Sequence, residues 1–338
     1  MKNTTVPEEV SEIATQFCNQ PISAISQISH GSINKTYEVI YGSDERFILQ
    51  CMSSIFKPSV MENLHTVQPF MQRDGVVIPK GILSSSEHLY VLGAQGRWYR
   101  ALTYISGRTI HNNITAKGAR SAAKLIGAFH DALVDCAEPI TTPISHFHNT
   151  PFYMERLVRI MDKYKDHEYH QELKPICDEV LKRCAAHKNG YHLPQRIIHA
   201  DLKVSNILFD DDMNAVALID MDTMSRGTVT VEMGDALRSW CGTAGEDSSE
   251  QVFDIEVCEA ALEGYRESVT SITEEEIESI PYGIKLLTLE LSARFLADAY
   301  EETYFALSDN YNSLHEQNKT RAINQLKFLD AFEASGLI

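Results

Sequence analysis

The stretch 196–223 constrains this chain more than any other part of it. Apolar runs Ile197-Ile198, Ile207-Leu208-Phe209 and Val216-Ala217-Leu218-Ile219 alternate there with polar turns such as Asp210-Asp211-Asp212-Met213-Asn214, while helical patterning dominates around them. A short β-segment is therefore expected inside a mainly helical half. Its polar residues recur where the strands end: His199-Ala200-Asp201-Leu202-Lys203-Val204-Ser205-Asn206 lies between the first two strands, and Asp220 and Asp222 come after the third. Such an arrangement brings a carboxylate, an amide and a further carboxylate out at one edge of a small sheet.

The chemistry that needs this set is phosphoryl transfer. Asp201 can accept the proton of an attacking hydroxyl, while Asn206 and Asp220 can hold Mg²⁺ against nucleotide phosphates; positioning and charge compensation carry most of the catalysis. Asp222 is expected to take a second metal or orient substrate, because two acidic side chains at one strand end repel each other unless something compensates them. Lys203 is placed either to meet the transferring phosphoryl or to remain in solvent. His199 reads as a scaffold residue hydrogen-bonded to the backbone of this loop, and Asp235, beside Gly234, as a buried carboxylate that ties loop amides together.

The first third of the chain is patterned differently. Alternation over Ile22 to Ile28 and Thr36 to Tyr41, with Phe47-Ile48-Leu49 after them, predicts three antiparallel strands. After Lys57-Pro58, the spacing of Val60, Leu64, Val67 and Met71 predicts a helix that Pro69 should kink or break. Val76-Val77-Ile78, Leu89 to Leu92 and Trp98 to Ile105 are the runs from which the sheet, expected to be antiparallel and five-stranded, is completed. From Thr115 onward Ala122, Leu125, Ile126, Phe129 and Leu133 mark a buried amphipathic helix, and helices dominate the rest of the chain. The expected class is α+β, with a sheet lobe over 1–104, a hinge near 104–107 around Gly107, and a helical lobe over 105–338.

Several functions are disfavoured. The chain carries 30 Lys plus Arg against 47 Asp plus Glu, a net charge of −17, which argues against nucleic acid or an anionic membrane as the main partner. No apolar run approaches the ~20 residues needed to span a bilayer, and the opening residues lack signal-peptide features, so a cytoplasmic protein is expected. Seven scattered Cys without a CxxC pair read as reduced thiols; Cys177, Cys184, His187 and His192 fit no zinc spacing and read as packing. There is no GxGxxG or GxxxxGK[ST], and neither Asp-Phe-Gly nor Ala-Pro-Glu comes after the catalytic segment, which disfavours dinucleotide enzymes, P-loop enzymes and protein kinases.

With these residues in view, the chain resembles the aminoglycoside phosphotransferase and choline kinase superfamily over nearly its whole length. The resemblance implies a protein-kinase-like two-lobed fold, ATP and Mg²⁺ as cofactors, and a small-molecule hydroxyl as acceptor. His30-Gly31-Ser32-Ile33-Asn34-Lys35-Thr36-Tyr37 takes the place of the turn that covers the phosphates, so Gly31, Ser32 and Asn34 are implied in nucleotide binding, with Gln50 on the third strand and Tyr104 at the hinge. Within the superfamily, four stretches are similar to the N-acetylhexosamine 1-kinases, which phosphorylate the anomeric hydroxyl of N-acetylglucosamine and N-acetylgalactosamine. They are Gly31 to Tyr37, Ile219 to Met224, Gly234 to Arg238 with Ala244-Gly245-Glu246-Asp247, and Pro281-Tyr282-Gly283 through Arg294 to Asp298. By this resemblance Arg238, Arg294 and Asp298 face the sugar, although each could instead belong to a surface ion pair.

The chain also departs from the superfamily. Gln50 stands where kinases carry a phosphate-binding Lys, so Lys35, Lys57, or the metal and backbone amides must substitute, and Glu62 lacks its usual partner. Ser32 and Glu232 replace the His and Asp that the hexosamine kinases tend to place there. The competing readings are an aminoglycoside, choline, ethanolamine or homoserine phosphotransferase, and a nucleotide-binding pseudokinase for which Gln50 is the best argument; against the last, the base and both metal ligands remain.

Overall fold

The computed structural model describes residues 6–28, 33–186, 193–242 and 245–337. A short helix α1 (Glu8–Ala14) precedes β1 (Ile22–Ile28), β2 (Lys35–Tyr41), β3 (Glu45–Cys51), α2 (Ser59–Arg73), β4 (Gly81–Ile82), β5 (Val91–Leu92) and β6 (Trp98–Thr103). The sheet is antiparallel in the order β1-β2-β3-β6-β4, and β5 pairs β6 as a two-residue sixth strand. Alternation sorts its two faces. Tyr37, Val39, Phe47, Leu49, Tyr99 and Ala101 pack with Val10, Ile13 and Phe17 from α1 and the turn after it. Thr36, Ile48, Gln50, Arg100 and Leu102 lie on the opposite face, toward the rest of the chain.

Two expectations need correction. Val76–Ile78 forms no strand: the Leu218 amide donates to the Val77 carbonyl at 3.1 Å, so this segment runs beside the helical lobe's hairpin, and the fifth strand is Gly81–Ile82. Pro69 does not break α2, which runs through it to Arg73 because Val67 and Met71 bury its last turn. Asn63 on the same helix makes a double hydrogen bond across the lobes, donating from Nδ2 to the Thr141 carbonyl at 2.7 Å and accepting the Thr141 amide at Oδ1 at 2.9 Å. Arg73 Nη2 adds a bond to the Ala132 carbonyl at 3.2 Å.

The helical lobe contains β7 (Arg108–Thr109), α3 (Ala116–Ala132), α4 (Thr150–Lys163), α5 (His170–Ala186), β8 (Arg196–Ile198), β9 (Ile207–Phe209), β10 (Ala215–Leu218), β11 (Ser225–Gly227), α6 (Val229–Trp240), α7 (Ile255–Ser268), α8 (Glu274–Glu278), α9 (Ile280–Glu301) and α10 (Leu314–Ala334). The amphipathic helix expected after Thr115 is α3, capped by the Thr115 hydroxyl and buried at Ala122, Ile126 and Phe129. β10, β9 and β7 form one small sheet, and β8 pairs β11, which gives the β-segment read from 196–223.

α9 is the spine of this lobe, buried along most of its length, and α6 crosses it at Gly234 and Gly283. A Cβ on Gly283 would stand 1.9 Å from the Thr230 carbonyl oxygen, and one on Gly234 2.5 Å from Gly283 C. Backbone therefore meets backbone, and no side chain fits between. All seven Cys are free thiols; Cys177 is buried and Cys184 half-buried on α5, while His187 and His192 lie outside the described residues. Among the described residues no helix is long and apolar enough to cross a membrane.

Candidate active site

The loop between β8 and β9 is held in an unusual shape by buried polar groups. Ala200 has a φ of 66°, a left-handed conformation that costs a residue with a Cβ about 1–2 kcal/mol. Glu232, fully buried on α6, accepts the His199 and Ala200 amides at 2.7 Å each. Burial pushes its carboxyl up, but neighbouring His130 and the His199 backbone outweigh this and hold it below the usual range. Around it, Trp240 Nε1 donates to the Leu202 carbonyl at 2.7 Å, the Thr223 hydroxyl to the His199 carbonyl at 2.8 Å, and His148 Nε2 lies 2.9 Å from the Ala200 carbonyl. His199 is the scaffold residue expected, with Nε2 at 2.9 Å from the Ile219 carbonyl and Nδ1 accepting the Asp201 amide at 3.3 Å.

The amide-tying role expected of Asp235 thus belongs to Glu232, one turn earlier. Asp235 instead accepts Arg238 Nε and Nη2 at 3.0 and 2.9 Å. The sequence signal for Glu232 was a single acid among the apolar residues that open α6. In Glu232→Gln one amide of the loop faces an NH₂ group in place of an acceptor, and a stability loss of about 2–3 kcal/mol is expected. Thermal melts check the loss; turnover should fall with it, since the strained Ala200 turn sets Asp201.

Asp201, Lys203 and Asn206 come together as the sequence implied. Lys203 Nζ donates to Asp201 Oδ2 at 2.7 Å, and Asn206 Nδ2 donates to the same oxygen at 3.0 Å and to the Asp201 carbonyl at 2.8 Å. Burial alone would lower the Lys203 ammonium, but Asp201, with Asp220 and Asp235 behind it, holds it above the ordinary lysine range. Asp220 sits past β10 with a φ of 63°, left-handed backbone that Asp tolerates better than most residues. Burial first, and the Asp222 carboxylate second, push its carboxyl up to about 6.

Asp222 is engaged from the sheet lobe. Arg100 Nη1 and Nη2 donate to its two oxygens at 2.5 and 2.8 Å, and both side chains are 2% exposed. Asn34 Nδ2 adds a bond to Asp222 Oδ2 at 3.1 Å, while Asn34 Oδ1 accepts the Ser53 amide at 2.9 Å. Breaking a buried pair like this by removing one partner typically costs about 3–5 kcal/mol. Gln50 Oε1 accepts Arg100 Nε and Nη2 at 2.9 and 2.7 Å, and Gln50 Nε2 donates to Thr36 Oγ1 at 3.1 Å.

Lys35, Lys57 and Glu62 are exposed. Gly31 and Ser32 lie outside the described residues. Tyr104 is half-exposed, with the Arg46 guanidinium 5.6 Å from its ring centre. Sequence reasoning passed over Arg100, whose signal was one arginine inside the otherwise apolar strand Trp98–Thr103, opposite Gln50.

Further from the loop, burial lowers and the charges of Asp235, Glu246 and Asp201 raise the Arg238 guanidinium, with a net rise. Arg294 lies 5.2 and 5.5 Å from the ring centres of Tyr153 and Tyr304 and donates from Nη2 to the Tyr304 hydroxyl at 3.1 Å. Arg238 and His148, with Arg294 adding to them, hold the half-buried Asp235 carboxyl down against burial. Asp298 is fully buried: Oδ1 accepts the Thr303 and Tyr304 amides at 2.8 and 2.7 Å, and Oδ2 accepts the Phe305 amide and Asn318 Nδ2 at 2.9 Å each. It anchors the segment that carries Tyr304.

Among the described residues no three His, Cys, Asp or Glu side chains gather into a closed metal site. Asn206 and Asp220 suit a divalent cation that is completed by phosphate oxygens. The Asn206 amide nitrogen is committed to Asp201, which leaves its carbonyl as the metal-facing atom, and the crowded Asp220 carboxylate gains from a cation.

Residues 24–267 match the family model described as the phosphotransferase enzyme family. Solved structures share the fold at low identity. An aminoglycoside phosphotransferase from Alicyclobacillus acidocaldarius aligns with a TM-score of 0.62 at 14% identity, covering 99% of this chain and 98% of that one. A microcompartment-associated aminopropanol kinase gives 0.64 at 17% identity over 97% and 98%. An amicoumacin kinase in complex with AMP-PNP, Ca²⁺ and Ami gives 0.62 at 15% identity over 95% and 92%.

Proposed function

We propose that this chain, which belongs to the phosphotransferase enzyme family, transfers the γ-phosphoryl of ATP to the anomeric hydroxyl of an N-acetylhexosamine. That it is a phosphotransferase acting on a small-molecule hydroxyl comes from the family; the nucleotide, the metal and the acceptor are the proposal. Asp201 takes the acceptor's proton at Oδ1, because Oδ2 already accepts Lys203 Nζ and Asn206 Nδ2, and Lys203 offsets charge on the transferring group. Asn206 and Asp220 would hold Mg²⁺, whose chemistry is to neutralise phosphate oxygens. Residues 1–104 cover the nucleotide, with Asn34 and Tyr104 lining its site, and residues 105–338 supply the base and the acceptor wall. The amicoumacin kinase, solved with AMP-PNP and Ca²⁺, is in keeping with this cofactor pair.

Two guanidinium groups of the helical lobe, both felt by the Asp235 carboxylate, carry the acceptor reading. Arg238 lies within the field of Asp201, and Arg294 stands between Tyr153 and Tyr304. Arg238 is already balanced by Asp235 at 2.9 Å, and a neutral polyhydroxyl compound with an acetamido group would find donors and aromatic faces at Arg294, Tyr153 and Tyr304. Asp298 contributes by fixing the Tyr304 segment.

A coupled assay with Mg²⁺ and ATP against N-acetylglucosamine, N-acetylgalactosamine, glucose, choline, homoserine and kanamycin tests the proposal. Turnover confined to an N-acetylhexosamine, and lost when its anomeric oxygen is blocked, is expected. Activity only on an amine-bearing alcohol would shift the assignment to an amino-alcohol or aminoglycoside acceptor, which the fold's aminopropanol and aminoglycoside kinase relatives keep in view.

A further inference from the structure

A kinase cleft uses a cation on its sheet lobe, and the strand position that would supply it holds Gln50. The charge reappears one strand away. Arg100 is the cross-strand partner of Gln50 in the β3–β6 register, so both side chains leave the same face of the sheet. The Arg100 guanidinium reaches Gln50 Oε1 with Nε and Nη2 and both Asp222 oxygens with Nη1 and Nη2. Gln50, oriented by its bond to Thr36, acts as an acceptor that aims the fork.

A buried ion pair between lobes is not explained by stability, because apolar side chains of similar volume commonly do as well or better. We propose that Arg100 is a positioning residue standing in for the missing third-strand lysine. It neutralises Asp222, fixes the turn that presents Asp220, and removes a negative charge that would otherwise face the phosphates of a bound nucleotide. Asp222 is then the second half of an interlobe clasp, and not a further metal ligand. The inference rests on the nucleotide and metal use proposed above.

Its signature is a rescue. With Arg100 gone, the lone Asp222 carboxylate repels nucleotide, and deleting that charge as well should restore binding. Calorimetric titration with Mg²⁺ and ATP, in the absence of any acceptor, measures this in R100Q, D222N and R100Q/D222N, with ligand-free melts as a fold check. R100Q is expected to weaken binding by about 30-fold, and the double variant to return to within about 3-fold of wild type. Equal weakening in R100Q and the double variant would overturn the inference in favour of direct phosphate contact, and unchanged binding in R100Q would reduce the pair to a structural one.

If R100Q fails to fold, the double variant, which leaves no unpaired charge, decides alone: near-wild-type binding supports the clasp and a loss of about 30-fold overturns it. A wild-type protein that bound no nucleotide would instead strike at the cofactor reading, and the inference would fall with it.

Discussion

Asp201→Asn is expected to give a folded protein that binds nucleotide and no longer turns over. Asparagine keeps the shape of the side chain and can still present an oxygen to Lys203 Nζ and Asn206 Nδ2, which now lie 2.7 and 3.0 Å from Oδ2. The substitution removes the ability to accept a proton. General-base catalysis is worth about 10²–10⁴-fold, and kcat should fall by that amount in a steady-state assay with any accepted hydroxyl. The ion pair to Lys203 is partly exposed, so its loss should move the melting temperature by only a few degrees, about 1 kcal/mol or less. A variant that kept a tenth of wild-type kcat would remove Asp201 from the role of base.

The largest stability effect is expected far from any reacting atom. A Cβ at Gly283 would stand 1.9 Å from the Thr230 carbonyl oxygen and 3.1 Å from the Gly234 Cα, and both obstacles are backbone on a packed helix. α6 and α9 must then separate. Overpacking that side-chain rotation cannot relieve should cost Gly283→Ala about 4 kcal/mol or more and lower melting by on the order of 10 °C. Activity should fall too, because α6 carries Glu232 to the catalytic loop and α9 carries Arg294 to the proposed acceptor wall. Gly245→Ala is the control: nothing lies within 4 Å of its added Cβ, and melting should stay within about 1 °C of wild type.

The parts of this molecule legible from sequence are those whose chemistry is local. Asp201, Lys203 and Asn206 lie within six residues of one another, so chain geometry alone brings them together, and β9 and β10 are joined by a tight turn that Asp210 closes by accepting the Asp212 and Asn214 amides. The contacts that escaped were long-range. Arg100 meets Asp222 across 122 positions and Glu232 meets the catalytic loop across 33, and no spacing rule connects such pairs. Val76–Ile78 had a strand's composition but found its partner at Leu218, in the other lobe. Pro69 failed to break α2 because the burial of Val67 and Met71 outweighed one lost backbone bond.

The attachment of α2 bears on control. In kinases that are turned on and off, the equivalent helix swings, and its acidic residue docks on or leaves the third-strand lysine. Here that acid, Glu62, faces solvent, while Asn63 fastens the first half of the helix to Thr141 and Arg73 fastens its end to Ala132. Any swing of α2 away from the helical lobe would have to break both anchors at once, so the two lobes are tied through this helix as well as through the Arg100–Asp222 pair.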